Sequence, residues 1–216
     1  MKSNEYVGVE IESRFVELPI CSYSEIQARK VVLHVLNDMG FKKNKSVVHE
    51  INFYFKNNDN SGSLKYSQIV DDSVGRLEYK KEVTFDTEKV TNLEMAKDLR
   101  IENVKAYLDK KNNVFNSIED NRISQDTYVE RLNQFRIHLK DVCNDKFLEI
   151  HASVDTVRNI TDSNRKVPLL FVEFETSVPA PDVLKKLNNY SDIFQLKMSD
   201  GFQKTCLSKD EYFWKR

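Results

Sequence analysis

The chain has 216 residues, and what it has little of already narrows its chemistry. There are five glycines, Gly8, Gly40, Gly62, Gly75 and Gly201. No two are spaced as in a Rossmann fingerprint, a Walker loop or a kinase glycine loop. A nucleotide phosphate would therefore have to be held by side chains rather than by a backbone cradle. The three cysteines, Cys21, Cys143 and Cys206, are odd in number and far apart, which excludes a disulfide framework and a CxxC zinc site. The four histidines form no HExxH motif. No apolar run approaches the roughly 18 residues of a membrane span, and the opening MKSNEYVGVEIES has no apolar signal core. The expectation is an intracellular chain, not secreted and without membrane contact. Net charge is also scarce: 33 Lys+Arg stand against 34 Asp+Glu, a balance of -1. A general nucleic-acid coat or a binder of anionic membranes would carry an excess of one sign.

What is present is alternation. With 40% hydrophobic residues the chain can build one sizeable core, and a single domain over 1–216 is expected. From Val7 to Phe15, Val9, Ile11 and Phe15 alternate with Glu10, Glu12 and Arg14, the period of a half-buried strand. A helix follows, capped by Ser22 or Ser24, with Ile26, Val31, Val32, Val35, Leu36 and Met39 as its apolar stripe and Gly40 as its stop. Strands are expected at Val47–Phe55, Leu64–Val70 and Arg76–Phe85. Thr87 to Lys111 reads as a helix and Asn112 to Gln125 as a loop, so 87–130 is expected to be a helical and loop insert. A hairpin follows, Phe135–Leu139 and Leu148–Val154, turning at Asn144-Asp145. Asp162 to Lys166 is a loop, and Leu169–Ser177 the last strand. Beyond Pro179, 179–216 is expected to be a helix and tail.

Taken singly, each strand turns its charged face to water. Taken together, the charges sort by sign. Two strands present Glu-x-Glu, Glu10/Glu12 and Glu173/Glu175. Two present cations, Arg76/Lys80 and Arg136/Lys140, and a fifth presents Glu149, His151 and Asp155. Side chains two apart on a strand point the same way, about 6.6 Å apart. A Glu-x-Glu pair can thus share a hard divalent cation such as Mg²⁺ or Mn²⁺, which prefers oxygen ligands. The cations then call for an anionic partner. A sheet closed into a barrel with its charged faces inward, and with amphipathic helices over its apolar faces, suits a polyphosphate with its metal.

These elements resemble a known superfamily. EIESRF at Glu10–Phe15 resembles the opening Glu-x-Glu-x-Lys/Arg strand of the triphosphate tunnel metalloenzymes, and FVEFE at Phe171–Glu175 their closing Glu-x-Glu strand. LEYKKEV looks like their lysine-bearing strand, and the FRIHLKD…KFLEIHASVD hairpin like their Arg and acidic strands. The order of the elements matches as well. The doubled lysine is similar to the RNA 5′-triphosphatases of mRNA capping, and the early position of EIESRF to CYTH proteins.

The resemblance implies an α+β fold: a closed antiparallel β-barrel, a tunnel of about eight strands, with a polar interior and flanking helices. It implies Glu10, Glu12, Glu173 and Glu175 as holders of Mg²⁺ or Mn²⁺. Lys80 and Arg136, joined by Arg14, Arg76 and Lys140, would bind phosphates, and Glu149 or one of the four glutamates would orient the attacking water. The expected activity is metal-dependent removal of the γ-phosphate from 5′-triphosphate RNA, with NTP as side substrate. A guanylyltransferase is the partner expected of a capping enzyme. The alternatives are a CYTH-type inorganic or thiamine triphosphatase, an adenylyl cyclase, or a non-catalytic polyphosphate-binding or interaction module.

Overall fold

The computed structural model describes residues 5–18, 25–45, 48–55, 63–69, 72–86, 89–110, 123–140, 147–159, 169–207 and 209. Among them are ten strands and three helices, in the order β1 (Glu5–Glu17), α1 (Glu25–Asp38), β2 (Lys42–Lys45), β3 (Val48–Phe55), β4 (Ser63–Ile69), β5 (Gly75–Asp86), β6 (Lys89–Leu99), α2 (Ile101–Lys110), β7 (Ile123–Lys140), β8 (Phe147–Asn159), β9 (Leu169–Thr176), α3 (Pro181–Lys197) and β10 (Phe202–Thr205). The turn residues Asn144-Asp145, the loop 162–166 and the cap candidates Ser22 and Ser24 lie outside the described residues.

Every described pairing is antiparallel, in the order β10-β1-β6-β5-β4-β3-β7-β8-β9, with β2 beside β7 and a further β1–β9 pairing. The expected closed barrel of about eight strands is corrected by these ladders. The strands form one ten-stranded sheet rather than a uniformly closed barrel, with two flanks that meet at β1. β1 joins them through two ladders that overlap only at Ile11 and Glu12. β6 pairs with Glu5–Glu12, and β9 with Ile11–Val16. The physical reason is the β5–β6 hairpin. β6 begins at Lys89, opposite Asp86 of β5, and its ladder with β1 ends at Val90 opposite Glu12. The short strand β10 takes up Arg14–Glu17 instead.

A second correction concerns Thr87–Lys111. Lys89–Leu99 is the strand β6, not a helix, and only Ile101–Lys110 is helical. Long ladders on both sides, to β5 and to β1, override the mixed helical spacing of its leucines. β7 likewise begins at Ile123, inside the stretch expected as loop. The remaining boundaries fall close to the alternation: α1 ends at Asp38 and the chain turns at Gly40, whose φ of 88° suits glycine.

The apolar faces of the strands meet the helices. Ile11 and Phe15 of β1, Ile150, Ala152 and Val154 of β8, and Leu170, Val172 and Phe174 of β9 pack with Val32 and Leu36 of α1 and Leu187 and Phe194 of α3. Edge-on aromatic contacts run through this core, with Phe174 and Phe194 centroids 5.5 Å apart. A smaller cluster joins Leu64 and Tyr66 of β4 and Leu77 of β5 to Val104 of α2. With the apolar faces covered in this way, the charged faces of β1, β4, β5, β8 and β9 are turned to the opposite side.

Candidate polyanion-binding site

The site is built by register. In an antiparallel pair, directly opposed residues share a face. Glu12 of β1 lies opposite Glu175 of β9, and Arg14 opposite Glu173, so the two Glu-x-Glu pairs from distant parts of the chain become neighbours. The first rung continues from Glu175 to His151 of β8 and on to Arg136 of β7. The second continues from Glu173 to Ser153 and Gln134. Lys80 reaches this face from β5, where its Nζ donates to Glu10 Oε2.

Arg14 is the hub. Its side chain is only 8% exposed, and Nη2 donates to Glu12 Oε1. Nη1 donates to the Cys206 carbonyl at 3.3 Å. Nε is buried without a hydrogen-bond acceptor, with Glu173 Oε1 3.5 Å away. Lys209 Nζ closes this end of the face, donating to Asp155 Oδ2 at 2.6 Å and to Glu173 Oε2 at 2.5 Å. Beyond it Val16, Val157 and Phe171 form an apolar cluster with Leu169 and Leu207. At the other end Lys65 of β4 pairs with Glu78 of β5 at 2.9 Å, and Arg76 Nε lies 3.1 Å from Glu78 Oε1.

The charge states follow from these neighbours. Burial lifts the Glu12 carboxyl above its ordinary value against the pull of Arg14 and Lys80, and Glu10 and Glu173 add to the rise. Burial also works against ionised Glu173, but Lys209 and Arg14 outweigh it and hold that carboxyl at about 2. Glu78 is treated in the same way by Lys65 and Lys80 and also falls to about 2. Burial opposes the charge on Lys80 and Arg14, yet the glutamates beside them raise both above their ordinary values.

Of the residues singled out from the sequence, Glu10, Glu12, Arg14, Lys80, Glu173 and Glu175 gather on this face. Arg76 lies at its far end. Arg136 is placed on the Glu12 rung by backbone register. Glu149, opposite His138, and Lys140, opposite Phe147, sit beyond the rungs that β9 supplies. The side chains of Arg136, Lys140 and Glu149 lie outside the described residues. The sequence reading missed Lys65, Ser67 and Lys209 as site residues. Lys65 and Ser67 alternate with Leu64 and Tyr66, a signal too short to weigh alone. Lys209 carries no local signal, because the fold of the C-terminal segment brings it in.

Carboxylate oxygens are the right donors for Mg²⁺ or Mn²⁺. Among the described residues, however, no three His, Cys, Asp or Glu side chains come together to hold a metal ion. Glu10, Glu12, Glu173 and Asp155 are instead engaged by the chain's own cations.

No family model matches the chain, and no curated protein matches it. Solved structures do. The PH1819 protein of Pyrococcus horikoshii OT3 matches with TM-score 0.57 at 13% identity, over 95% of this chain and 98% of its own. HpAC1 from Hippeastrum, a protein with a dominant triphosphatase activity, matches with TM-score 0.55 at 13% identity, over 95% of both chains. The PH1012 protein of the same Pyrococcus matches with TM-score 0.53 at 14% identity, over 89% of this chain and 93% of its own. At these identities the likeness is one of fold. Among the described residues no helix is long and apolar enough to cross a membrane.

Proposed function

We propose that the protein hydrolyses the terminal phosphate of a triphosphate. One observation carries the reading: Arg14, buried and ion-paired with Glu12 and Glu173, stands between Lys80 and Lys209 on a single charged face. Fixed cations in a desolvated site favour a compact polyanion and the charge that develops as its terminal phosphoryl group leaves. The shared fold with HpAC1 supports the same class of reaction.

In the proposed reaction, Arg14 and Lys80 orient the terminal phosphate. A water oxygen bonds to its phosphorus while the bond to the bridging oxygen breaks, giving a diphosphate and free phosphate. Glu12, whose burial raises its affinity for a proton, accepts the proton that the water loses. The departing diphosphate keeps the bridging oxygen and its electron pair. Mg²⁺ or Mn²⁺ enters as part of the substrate, since triphosphates carry such ions in solution. RNA 5′ ends, NTPs, tripolyphosphate and thiamine triphosphate share this terminal chemistry, with the RNA end as the first substrate to try.

The test is phosphate release from each of these four substrates, with and without EDTA. Wild type releases phosphate from at least one of them, and chelation stops it. Arg14→Met, Glu12→Ala and Glu175→Ala each lower kcat/KM by about 10²–10³-fold, as removal of one transition-state contact does elsewhere. Undiminished rates in all three variants, in chains that melt like wild type, overturn the assignment.

A further inference from the structure

On the same face, but away from the Glu-x-Glu pairs, β4 and β5 form two adjacent cross-strand pairs: Lys65 opposite Glu78, and Ser67 opposite Arg76. We propose that these four residues form a subsite for the hydroxyl-bearing group that carries the triphosphate, the ribose of a nucleoside. The inference rests on the triphosphate reading above and adds to it the substrate class.

Three observations carry it. First, Ser67 Oγ is buried and has no hydrogen-bond partner among the described residues. A buried hydroxyl left unpaired is costly, and a ligand hydroxyl, which both donates and accepts, would satisfy it. Second, the subsite lies on the outward side of the phosphate cations. Arg76, Glu78 and Lys80 follow one another at two-residue steps on β5, each about 6.6 Å. Side-chain exposure is 8% at Arg14, 23% at Lys80, 15% at Glu78, 24% at Lys65 and 46% at Arg76, so the Arg76 end is the open one. The opposite end is closed by Lys209 and the Val16, Val157 and Phe171 cluster. A triphosphate bound at Arg14 and Lys80 therefore extends its remaining group toward Ser67. Third, Glu78 sits between Lys65 and Arg76. A carboxylate there repels a fourth phosphate but accepts hydrogen bonds from sugar hydroxyls, so the local chemistry favours a neutral polyol over a longer polyphosphate.

The experiment measures binding, so that it stands apart from hydrolysis. Dissociation constants for Mg·ATP, Mg·2′,3′-dideoxyATP and Mg·tripolyphosphate are determined by calorimetry for wild type, Ser67→Ala and Glu78→Gln. Melting temperatures check that each variant folds. Wild type binds ATP about tenfold more tightly than dideoxyATP, since a site built to bond a hydroxyl rejects its absence. Ser67→Ala shrinks that ratio toward one and leaves tripolyphosphate binding unchanged, whereas Glu78→Gln shrinks it and tightens tripolyphosphate, because a repelling carboxylate is gone. Equal affinities for ATP and dideoxyATP in wild type overturn the subsite, as does a ratio that both variants preserve. Binding with the expected discrimination but without phosphate release removes the hydrolase reading and keeps the subsite. Failure to bind any triphosphate removes both.

Discussion

Individual carboxylates on this face answer to pH in opposite directions, because their neighbours differ. Glu78 and Glu173 lie at about 2 in the folded chain against an ordinary 4.5. As pH falls, the unfolded chain takes up those protons first. The stability they contribute is complete above about 4.5 and is lost as pH drops toward 2. Glu12 has the reverse sign. Its raised value means that its contribution is present below 4.5 and lost as pH rises through the folded pKa. Glu78→Gln is therefore expected to flatten the fall in melting temperature between about pH 5 and about pH 2, since one depressed carboxylate is gone. An acid limb as steep as that of wild type, followed by circular dichroism, contradicts the assignment of Glu78 as a strongly paired carboxylate. At this scale the sequence was informative wherever alternation marked a face. It placed Glu10, Glu12, Lys80, Glu173 and Glu175 on charged faces correctly, but it could not say which carboxylate each cation would take.

Elements are joined by a few close contacts whose loss is measurable. Where β4 meets β5, Gly75 N donates to Tyr66 Oη at 2.9 Å, and Tyr66 Oη donates to the Leu99 carbonyl at 3.0 Å. A Cβ on Gly75 would stand 2.5 Å from both the Ser67 carbonyl oxygen and the Tyr66 ring. Gly75→Ala should cost about 1–3 kcal/mol, the usual penalty of overpacking. Tyr66→Phe should cost about 1–3 kcal/mol through the partners it strands. Urea titration of the double variant should show less than the sum, because both changes act on one contact. Between β1 and α3, Ser13 Oγ and Ser191 Oγ share a buried hydrogen bond of 2.7 Å. Ser191→Ala alone should destabilise by about 1–3 kcal/mol, and adding Ser13→Ala should cost little more, since no hydroxyl is then left unpaired. Two full and independent penalties would show that the pair does not hold α3 to the sheet. At the element scale, long alternating strands such as β1, β5, β8 and β9 were legible. β6 was not: its residues carry a mixed pattern, and its state is decided by pairing on both edges.

The whole molecule depends on contacts between distant parts of the chain. Lys209 reaches back to Asp155 and Glu173, tying the C-terminal segment to β8 and β9. Lys209→Met should lower stability by about 1–3 kcal/mol, because Asp155 is fully buried and loses an ammonium donor. Asp155→Asn in that background should recover part of the loss, as a neutral amide tolerates burial better. Denaturant midpoints check both, and a harmless Lys209→Met would show that the C-terminal segment is not anchored through this pair.

The sequence by itself determined the faces: strand alternation decided which residues would be charged neighbours and which would be core, because side chains on a strand point to opposite sides by geometry alone. It also excluded a glycine phosphate cradle and a cysteine metal site, since neither can be made without its residues. The tertiary structure decided which faces meet. The opposition of Glu12 to Glu175, the rung out to Arg136 and the return of Lys209 depend on register and on chain segments far apart. So does the sharing of β1 between β6, β9 and β10 in place of a uniformly closed wall. Pairing across such distances is set by the hydrogen bonds and burial of the whole sheet, which no local stretch of residues encodes.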